Sequence, residues 1–318
     1  MADFLHEGVI TLDNGIAGEL WQVPTANPVT FYQAINDIEA APTLKIYAQT
    51  FWPSSVEPAP VVVVIPGSMG IAPSHVFKAQ LLTDAGIAAC LLDPFGAREV
   101  ESTVANQAQY SFAASAWDVL ATVAALADDP RIDAQRIGVQ GHSRGGAAIL
   151  SAASMTKFVG FMPRIVGAYA AYPWSGQQFL NPYVGQTKVR SIIGDQDEWC
   201  LAQQVQGHMQ ALRLCGCEAS WRIVEGAHHS FDRSTSVDLI KDASVARSAP
   251  TVYIDDDGTY LHPTKGRTAP DTTERELMLY GIQAGYGVRG AQLGTASNYA
   301  DVFHDDMMIF WYGVLGLS

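Results

Sequence analysis

Short, almost wholly apolar segments alternate with longer segments of mixed polarity through the middle of the chain. The apolar segments are 61–65 (VVVVI), 87–93 (IAACLLD), 136–140 (RIGVQ), 165–172 (IVGAYAAY), 189–194 (VRSIIG) and 219–225 (ASWRIVE). The run 61–65 is continuously apolar, which is typical of a strand that is covered on both faces, and the other five segments are strand candidates. Between them we predict helices at 102–127, 144–156 and 201–214. This alternation predicts an α/β fold, in which right-handed crossovers build a mostly parallel central sheet flanked by helices.

The two ends of the chain follow other patterns. Residues 1–58 hold short alternating runs broken by Gly, Asn and Pro, which predicts N-terminal edge strands. Residues 233–300 contain a hairpin signal at Asp257 and Gly258 and are otherwise polar and Gly-rich, so we expect an irregular C-terminal extension or lid. Residues 301–318 are strongly apolar behind Asp301, which predicts a closing helix. We expect a single domain, 1–318, because α/β folds of this length are commonly one domain.

Charge and composition narrow the classes of partner. The 318 residues carry a formal net charge of −13, which argues against nucleic acid and anionic membranes as partners. No apolar run is long enough to span a bilayer, and the first residues lack the pattern of a signal peptide, so we expect a cytoplasmic protein. The 4 cysteines form neither a disulfide framework nor a C-x-x-C pair, and we expect no metal. The sequence leaves a homo-oligomer open.

A candidate nucleophile lies in the segment RIGVQGHSRGGAA, residues 136–148. A short apolar run leads into a Gly-x-Ser-x-Gly turn, and an alanine-rich helical stretch follows it. A serine at such a strained turn from strand to helix is exposed to a base and to backbone N–H groups that hold an oxyanion. Ser143 is therefore the predicted nucleophile, and the glycines leave room where a Cβ would collide. The segment 285–290, GYGVRG, matches a dinucleotide fingerprint but follows no clear strand, so we expect no cofactor.

The partners of Ser143 are expected in the order acid and then base, each just beyond a strand end. The strand at 189–194 runs into Asp195 and Asp197, and the strand at 219–225 runs into His228 and His229. Asp195 could cap the helix that starts near residue 201, whereas Asp197 lies further out and can reach a neighbouring loop. We choose Asp197. We choose His229 because the hydroxyl and the aromatic ring that follow it could fix its imidazole.

The remaining site residues are backbone donors and aromatic walls. An oxyanion hole needs two N–H groups aimed at one point, and we assign these to Arg144, which follows the nucleophile, and to Ser68, in the loop after the first core strand. Tyr172 and Trp174 end a core strand on the catalytic side, and Trp199 follows the acid loop. We expect these three aromatic residues to line a substrate pocket.

Five segments in this order resemble the dienelactone hydrolase family of the α/β-hydrolase superfamily, over roughly residues 40 to 232. They are VVVVIPGSMG, LLDPFGAR, GVQGHSRGG, IIGDQDEW and GAHHSF. The resemblance implies an α/β-hydrolase fold, and it places the family acid on Asp197 and the family histidine on His229. Dienelactone hydrolases proper use a cysteine and a glutamate where this chain has Ser143 and Gly67. The serine-bearing relatives include carboxylesterases.

The resemblance also matches Arg98 to a family arginine that can contact an acidic group of the substrate, although ion pairing with neighbouring carboxylates is an equal alternative. We therefore expect a serine hydrolase that cleaves a small-molecule carboxylic ester through an acyl-enzyme. The alternatives are a carbon–carbon bond hydrolase or an acyltransferase on the same triad. A further alternative is a non-catalytic protein of this fold that binds a small ligand.

Overall fold

The structure is a computed structural model that describes residues 4–54, 58–160 and 163–317; the outermost residues of the predicted N- and C-terminal segments lie outside these ranges. In chain order its strands and helices are β1 Glu19–Ala26, α1 Phe31–Asn36, β2 Thr43–Phe51, β3 Ala59–Ile65, α2 Pro73–Asp84, β4 Ala88–Asp93, α3 Phe112–Ala127, β5 Ile132–His142, α4 Arg144–Met155, β6 Ile165–Ala171, β7 Gln177–Phe179, β8 Lys188–Gly194, α5 Ala202–Leu214, β9 Ala219–Val224, β10 Asp238–Val245, β11 Val252–Ile254, β12 Tyr260–His262, β13 Gly266–Arg267, α6 Glu274–Gln283, β14 Val288–Leu293 and α7 Tyr299–Leu315.

The central sheet confirms the predicted α/β architecture. Its strand order is β1-β2-β4-β3-β5-β6-β8-β9. β1 and β2 are the antiparallel edge, and the strands from β4 to β9 pair in parallel. All six predicted core strands are present. Because all these strands point the same way, the loops that follow β3, β5, β6, β8 and β9 lie at one edge of the sheet, where functional groups converge.

Side chains of the core strands alternate between two apolar layers. In β3, Val61 and Val63 belong to the layer that contains α3 and α4, while Val62 and Val64 belong to the layer that contains α2 and α7. Trp311 of α7 is fully buried, and a Cβ on Gly138 would lie 2.3 Å from its ring. The glycine in β5 thus makes room for the closing helix, which begins at Tyr299, slightly before the predicted start.

Two predictions for the helices and the C-terminal segment are corrected. The helix predicted at 102–127 begins only at Phe112, because Ser111 accepts a hydrogen bond from the Ala114 N–H and caps it; residues 102–111 form a loop. The segment 233–300, expected to be irregular, contains α6, the pair β10–β14 and the strands β11 to β13. The hairpin of β11 and β12 turns at Gly258, whose φ of 84° suits glycine. No helix among the described residues is long and apolar enough to cross a membrane.

Candidate active site

Ser143 lies at the turn between β5 and α4 in a strained backbone conformation, with φ 55° and ψ −112°. The turn packs so tightly that a Cβ on Gly141 would lie 2.1 Å from the carbonyl oxygen of Gly145. A Cβ on Gly67 would lie 3.1 Å from the Cβ of Ser143, so the loop after β3 runs directly against the nucleophile. Glycines at these positions allow the close approach, and the positive φ turns the serine side chain out of the helix.

The imidazole of His229 bridges Ser143 and Asp197. Its Nε2 lies 3.0 Å from the Ser143 Oγ, and its Nδ1 lies 2.7 Å from the Asp197 Oδ2. All three residues are buried. The structure therefore brings together the three side chains that the sequence predicted, although they lie on three separate loops. These distances are those at which a base can take a proton from a hydroxyl and a carboxylate can orient that base.

Backbone hydrogen bonds hold the acid loop. The other carboxylate oxygen of Asp197 accepts the N–H groups of Trp199 at 2.8 Å and of Cys200 at 2.9 Å. The alternative acid, Asp195, does not cap α5, which begins after Leu201 without a side-chain cap. Asp195 instead accepts the Gly226 N–H at 2.7 Å and so joins the acid loop to the histidine loop.

Two aromatic rings enclose the imidazole of His229. Trp199 stacks on it with the ring centroids 5.2 Å apart and an interplanar angle of 13°, and Tyr172 meets it edge-on at 4.8 Å. The Tyr172 hydroxyl donates to the Asp232 carboxylate at 2.7 Å. Both rings border the site, as predicted, and they also restrict the imidazole to one orientation.

A buried ion pair behind these rings was not predicted. The Lys78 ammonium of α2 lies 2.5 Å from the Asp232 carboxylate, and both side chains are fully buried. Burial alone would raise the pKa of Asp232, but the Lys78 charge and the hydrogen bonds outweigh it, so the net pKa is well below its usual range. The pair joins α2 to the loop that carries His229. A lysine within the apolar stretch HVFKAQLL was the only signal in the sequence.

Neighbouring histidines are held in the neutral form. Burial lowers the pKa of His142 to about 3 and that of His75 well below its ordinary value. The Nδ1 of His75 accepts the Ala72 N–H at 3.0 Å, and the two imidazoles pack edge to face. Both rings are thus engaged with backbone groups, since the Nδ1 of His142 lies 3.3 Å from the Ile65 carbonyl oxygen, whereas the Nε2 of His229 faces the Ser143 hydroxyl.

The two predicted oxyanion donors lie beside the nucleophile. Arg144 is the first residue of α4, where the backbone N–H groups and the helix dipole favour negative charge. Ser68 follows Gly67, and its carbonyl accepts the Thr103 N–H at 2.9 Å, which fixes the loop. The Arg144 guanidinium packs 3.9 Å from the centre of the Phe112 ring and donates to backbone carbonyls of the loop 102–111. Its side chain thereby holds that loop against the turn between β5 and α4.

Arg98 is not among the described residues that line the two cavities at Ser143. Its guanidinium makes two hydrogen bonds to the buried Asp118 carboxylate, at 2.8 and 3.1 Å, and another to Asn27. Only 6% of its side chain is exposed. The geometry therefore favours the ion-pair alternative for Arg98, and its substrate-binding role stays a prediction to be tested.

Two cavities meet at Ser143. One has a volume of about 20 Å³ and is bordered by His229, Tyr172 and Leu293. The other has a volume of about 440 Å³ and extends between the loop 102–111, the predicted wall residue Trp174 and the C-terminal segment. Ser143, Ser68 and Trp199 border both. The C-terminal segment thus encloses one side of the site.

Asp197, Cys200 and His229 present ligand atoms within 4.8 Å of one another, which is a spacing that a metal ion could use. Burial raises the pKa of the Cys200 thiol well above its ordinary value, which disfavours the thiolate that binds metals. Asp197 and the Nδ1 of His229 are also hydrogen-bonded to each other. The donor set therefore fits a charge relay better than a metal site.

Comparisons with known proteins give one family and several structures of the same fold. The sequence model of the dienelactone hydrolase family matches residues 46–252. None of the curated proteins matches the chain. Esterase Est22 has a TM-score of 0.54 at 19% identity, over 69% of this chain and 74% of its own. Brefeldin A esterase, a bacterial homologue of human hormone sensitive lipase, has a TM-score of 0.51 at 17% identity, with coverages of 68% and 70%. The dienelactone hydrolase-like promiscuous phosphotriesterase P91 from metagenomic libraries has a TM-score of 0.50 at 16% identity, with coverages of 85% and 99%.

Proposed function

Because the chain belongs to the dienelactone hydrolase family, we propose that it is a serine hydrolase that cleaves small-molecule carboxylic esters. The observation that carries this proposal is the relay in which one imidazole lies 3.0 Å from the Ser143 hydroxyl and 2.7 Å from the Asp197 carboxylate. Dienelactones are cyclic esters, so the family relation supports the same class of bond.

In the first half of the reaction, the Ser143 Oγ attacks the ester carbonyl carbon while His229 takes the hydroxyl proton on Nε2. The N–H groups of Ser68 and Arg144 stabilise the oxyanion of the tetrahedral intermediate. When the intermediate collapses, the bond between carbon and the alcohol oxygen breaks, and His229 gives its proton to the leaving alcohol. Asp197 stays ionised and orients the imidazole. Water then attacks the acyl-enzyme with His229 again as base, which releases the acid and frees Ser143.

A serine-directed fluorophosphonate and a pH-stat assay on methyl esters of increasing acyl size test the proposal. Ser143→Ala should abolish labelling, and both Ser143→Ala and His229→Ala should lower kcat by about 10⁴-fold or more. Ser154→Ala, a substitution at a buried serine further along α4, is the matched control and should retain both. Folded wild-type protein that neither labels nor hydrolyses any ester would instead support the ligand-binding alternative. Transfer of the acyl group to an added alcohol in preference to water would support an acyltransferase.

A further inference from the structure

The nucleophile lies at the junction of two cavities that differ greatly in volume, about 20 Å³ and about 440 Å³. Ser68, Ser143 and Trp199 border both cavities. The Nε1–H of Trp199 donates a 2.9 Å hydrogen bond to the Gln292 carbonyl, which fixes the indole where the cavities meet. An ester carbonyl attacked by Ser143 must therefore send its two substituents into spaces of unequal size.

Proton transfer decides which substituent enters which cavity. The leaving alcohol oxygen must receive its proton from the Nε2 of His229, so the alcohol part lies on the histidine side. Of the two cavities, only the small one has His229 among its described lining residues. Tyr172 and Leu293 line it, and its volume accommodates little more than one water-sized group. A methoxy group is nearest to this space in size, and an ethoxy group exceeds it by one carbon.

The acyl chain therefore occupies the large cavity. Its walls are mostly apolar and include Phe112, Trp174, Val252 and Met278. Its volume is within the range of sites that enclose drug-sized ligands. Glu274, a buried carboxylate in the wall, already accepts the Phe112 N–H at 2.6 Å and contacts Gln177, so it is engaged in the protein's own hydrogen bonds.

From this division we infer that the substrates of this site are esters of bulky, mainly apolar carboxylic acids with a short alcohol such as methanol or ethanol. The inference rests on the proposed function, since it assumes attack by Ser143. It assigns specificity to α6, whose Leu277, Met278 and Ile282 border the acyl cavity. Esters of small acids with bulky alcohols have the same atoms in the opposite arrangement and are poor substrates.

Isomeric esters test the inference because they differ only in the direction of the ester bond. Methyl 3-phenylpropanoate is compared with 2-phenylethyl acetate, and methyl decanoate with nonyl acetate. We expect kcat/KM to favour the methyl ester of each pair by at least about tenfold, the discrimination that a mismatched apolar pocket supplies. Equal kcat/KM values within a pair, or higher values for the acetates, would overturn the inference. If Ser143 were still labelled by the fluorophosphonate in that case, the proposed function would stand. Neither labelling nor turnover of any ester would overturn both.

A variant that fills the large cavity tests whether this cavity binds the acyl chain. Met278→Trp should lower kcat/KM for methyl 3-phenylpropanoate by about tenfold more than it lowers kcat/KM for methyl acetate. Ile309→Trp is the matched control, because Ile309 is 71% exposed on α7, and it should change neither ester. Equal loss on both methyl esters in Met278→Trp, or no loss on either, contradicts the assignment of α6 to the acyl chain.

Discussion

Removing one partner of the buried pair of Lys78 and Asp232 should be among the most destabilising single substitutions near the active site. Both side chains have 0% exposure, and the two charged atoms lie 2.5 Å apart. Asp232→Asn keeps the shape of the side chain but leaves the ammonium without a counter-ion in the core. Lys78→Met likewise leaves the Asp232 carboxylate without a counter-ion in the core. An uncompensated buried charge of this kind costs about 3 to 5 kcal/mol, whereas removing both charges together costs far less.

These energies translate into a measurable change in Tm. Unfolding entropy is about 2.1 cal/mol/K per residue, which for 318 residues makes 3 to 5 kcal/mol equivalent to a loss of about 5 to 7 °C. We therefore expect the Tm of each single variant to fall by about that amount. The Tm of the double variant, Lys78→Met with Asp232→Asn, should return most of the way to that of the wild type. The pair of exposed charges Lys188 and Glu218, 3.5 Å apart, is the control. Lys188→Met should change Tm by less than about 1 °C.

Thermal unfolding followed by circular dichroism, with the four proteins of the cycle at one pH, measures the coupling. Two single variants whose losses simply add in the double variant would show that the charges do not interact, and the argument would fail. The same proteins assayed on a methyl ester report on His229, because Asp232 also accepts the Tyr172 hydroxyl behind the imidazole. We expect kcat to fall in Asp232→Asn, with KM little changed.

Three further predictions concern the Arg98–Asp118 pair, the buried imidazole of His208 and the packing around Gly141. Arg98→Ala breaks the buried pair with Asp118 and should lower the free energy of unfolding by about 3 kcal/mol. Its kcat/KM should change equally for esters with and without a remote carboxylate. A selective loss on the carboxylate esters would support a substrate-binding role for Arg98. Burial lowers the pKa of His208 from 6.5 to about 4. The unfolded chain is therefore protonated first, and stability falls as the pH drops from 6.5 towards 4. In urea titrations at several pH values, His208→Gln should reduce the loss of unfolding free energy by up to about 1.4 kcal/mol per pH unit. An unchanged dependence of the unfolding free energy on pH would refute the lowered pKa of His208. Gly141→Ala places a Cβ 2.1 Å from a backbone oxygen of the elbow, so kcat should fall more than about tenfold; Gly207→Ala, with nothing within 4 Å of the new Cβ, should be as active as wild type and slightly more stable.

The positions of the core strands and the tight turn at Ser143 were readable in the sequence because both depend on local signals. A continuous apolar run such as 61–65 indicates a strand whatever lies around it, and the glycines at 141 and 145 mark a turn that only small residues can make. Asp197 and His229 followed from the same logic, since parallel strands end at one edge of the sheet. The loop 102–111 was misread as helix because its alanines favour helix while Ser111 supplies a stronger start signal.

Pairings between distant side chains were decided only by the folded structure. Lys78 and Asp232 are 154 positions apart, and nothing near either residue in the chain indicates the other. Arg98 and Arg144 look equally available in the sequence, yet packing sends one guanidinium to Asp118 and the other onto Phe112. The segment 233–300 has weak local periodicity, so its role in closing a 440 Å³ cavity depends on contacts with the rest of the protein. Local patterns fix where strands and turns lie, whereas the ends of long side chains and the shape of a cavity are set by what packs against them.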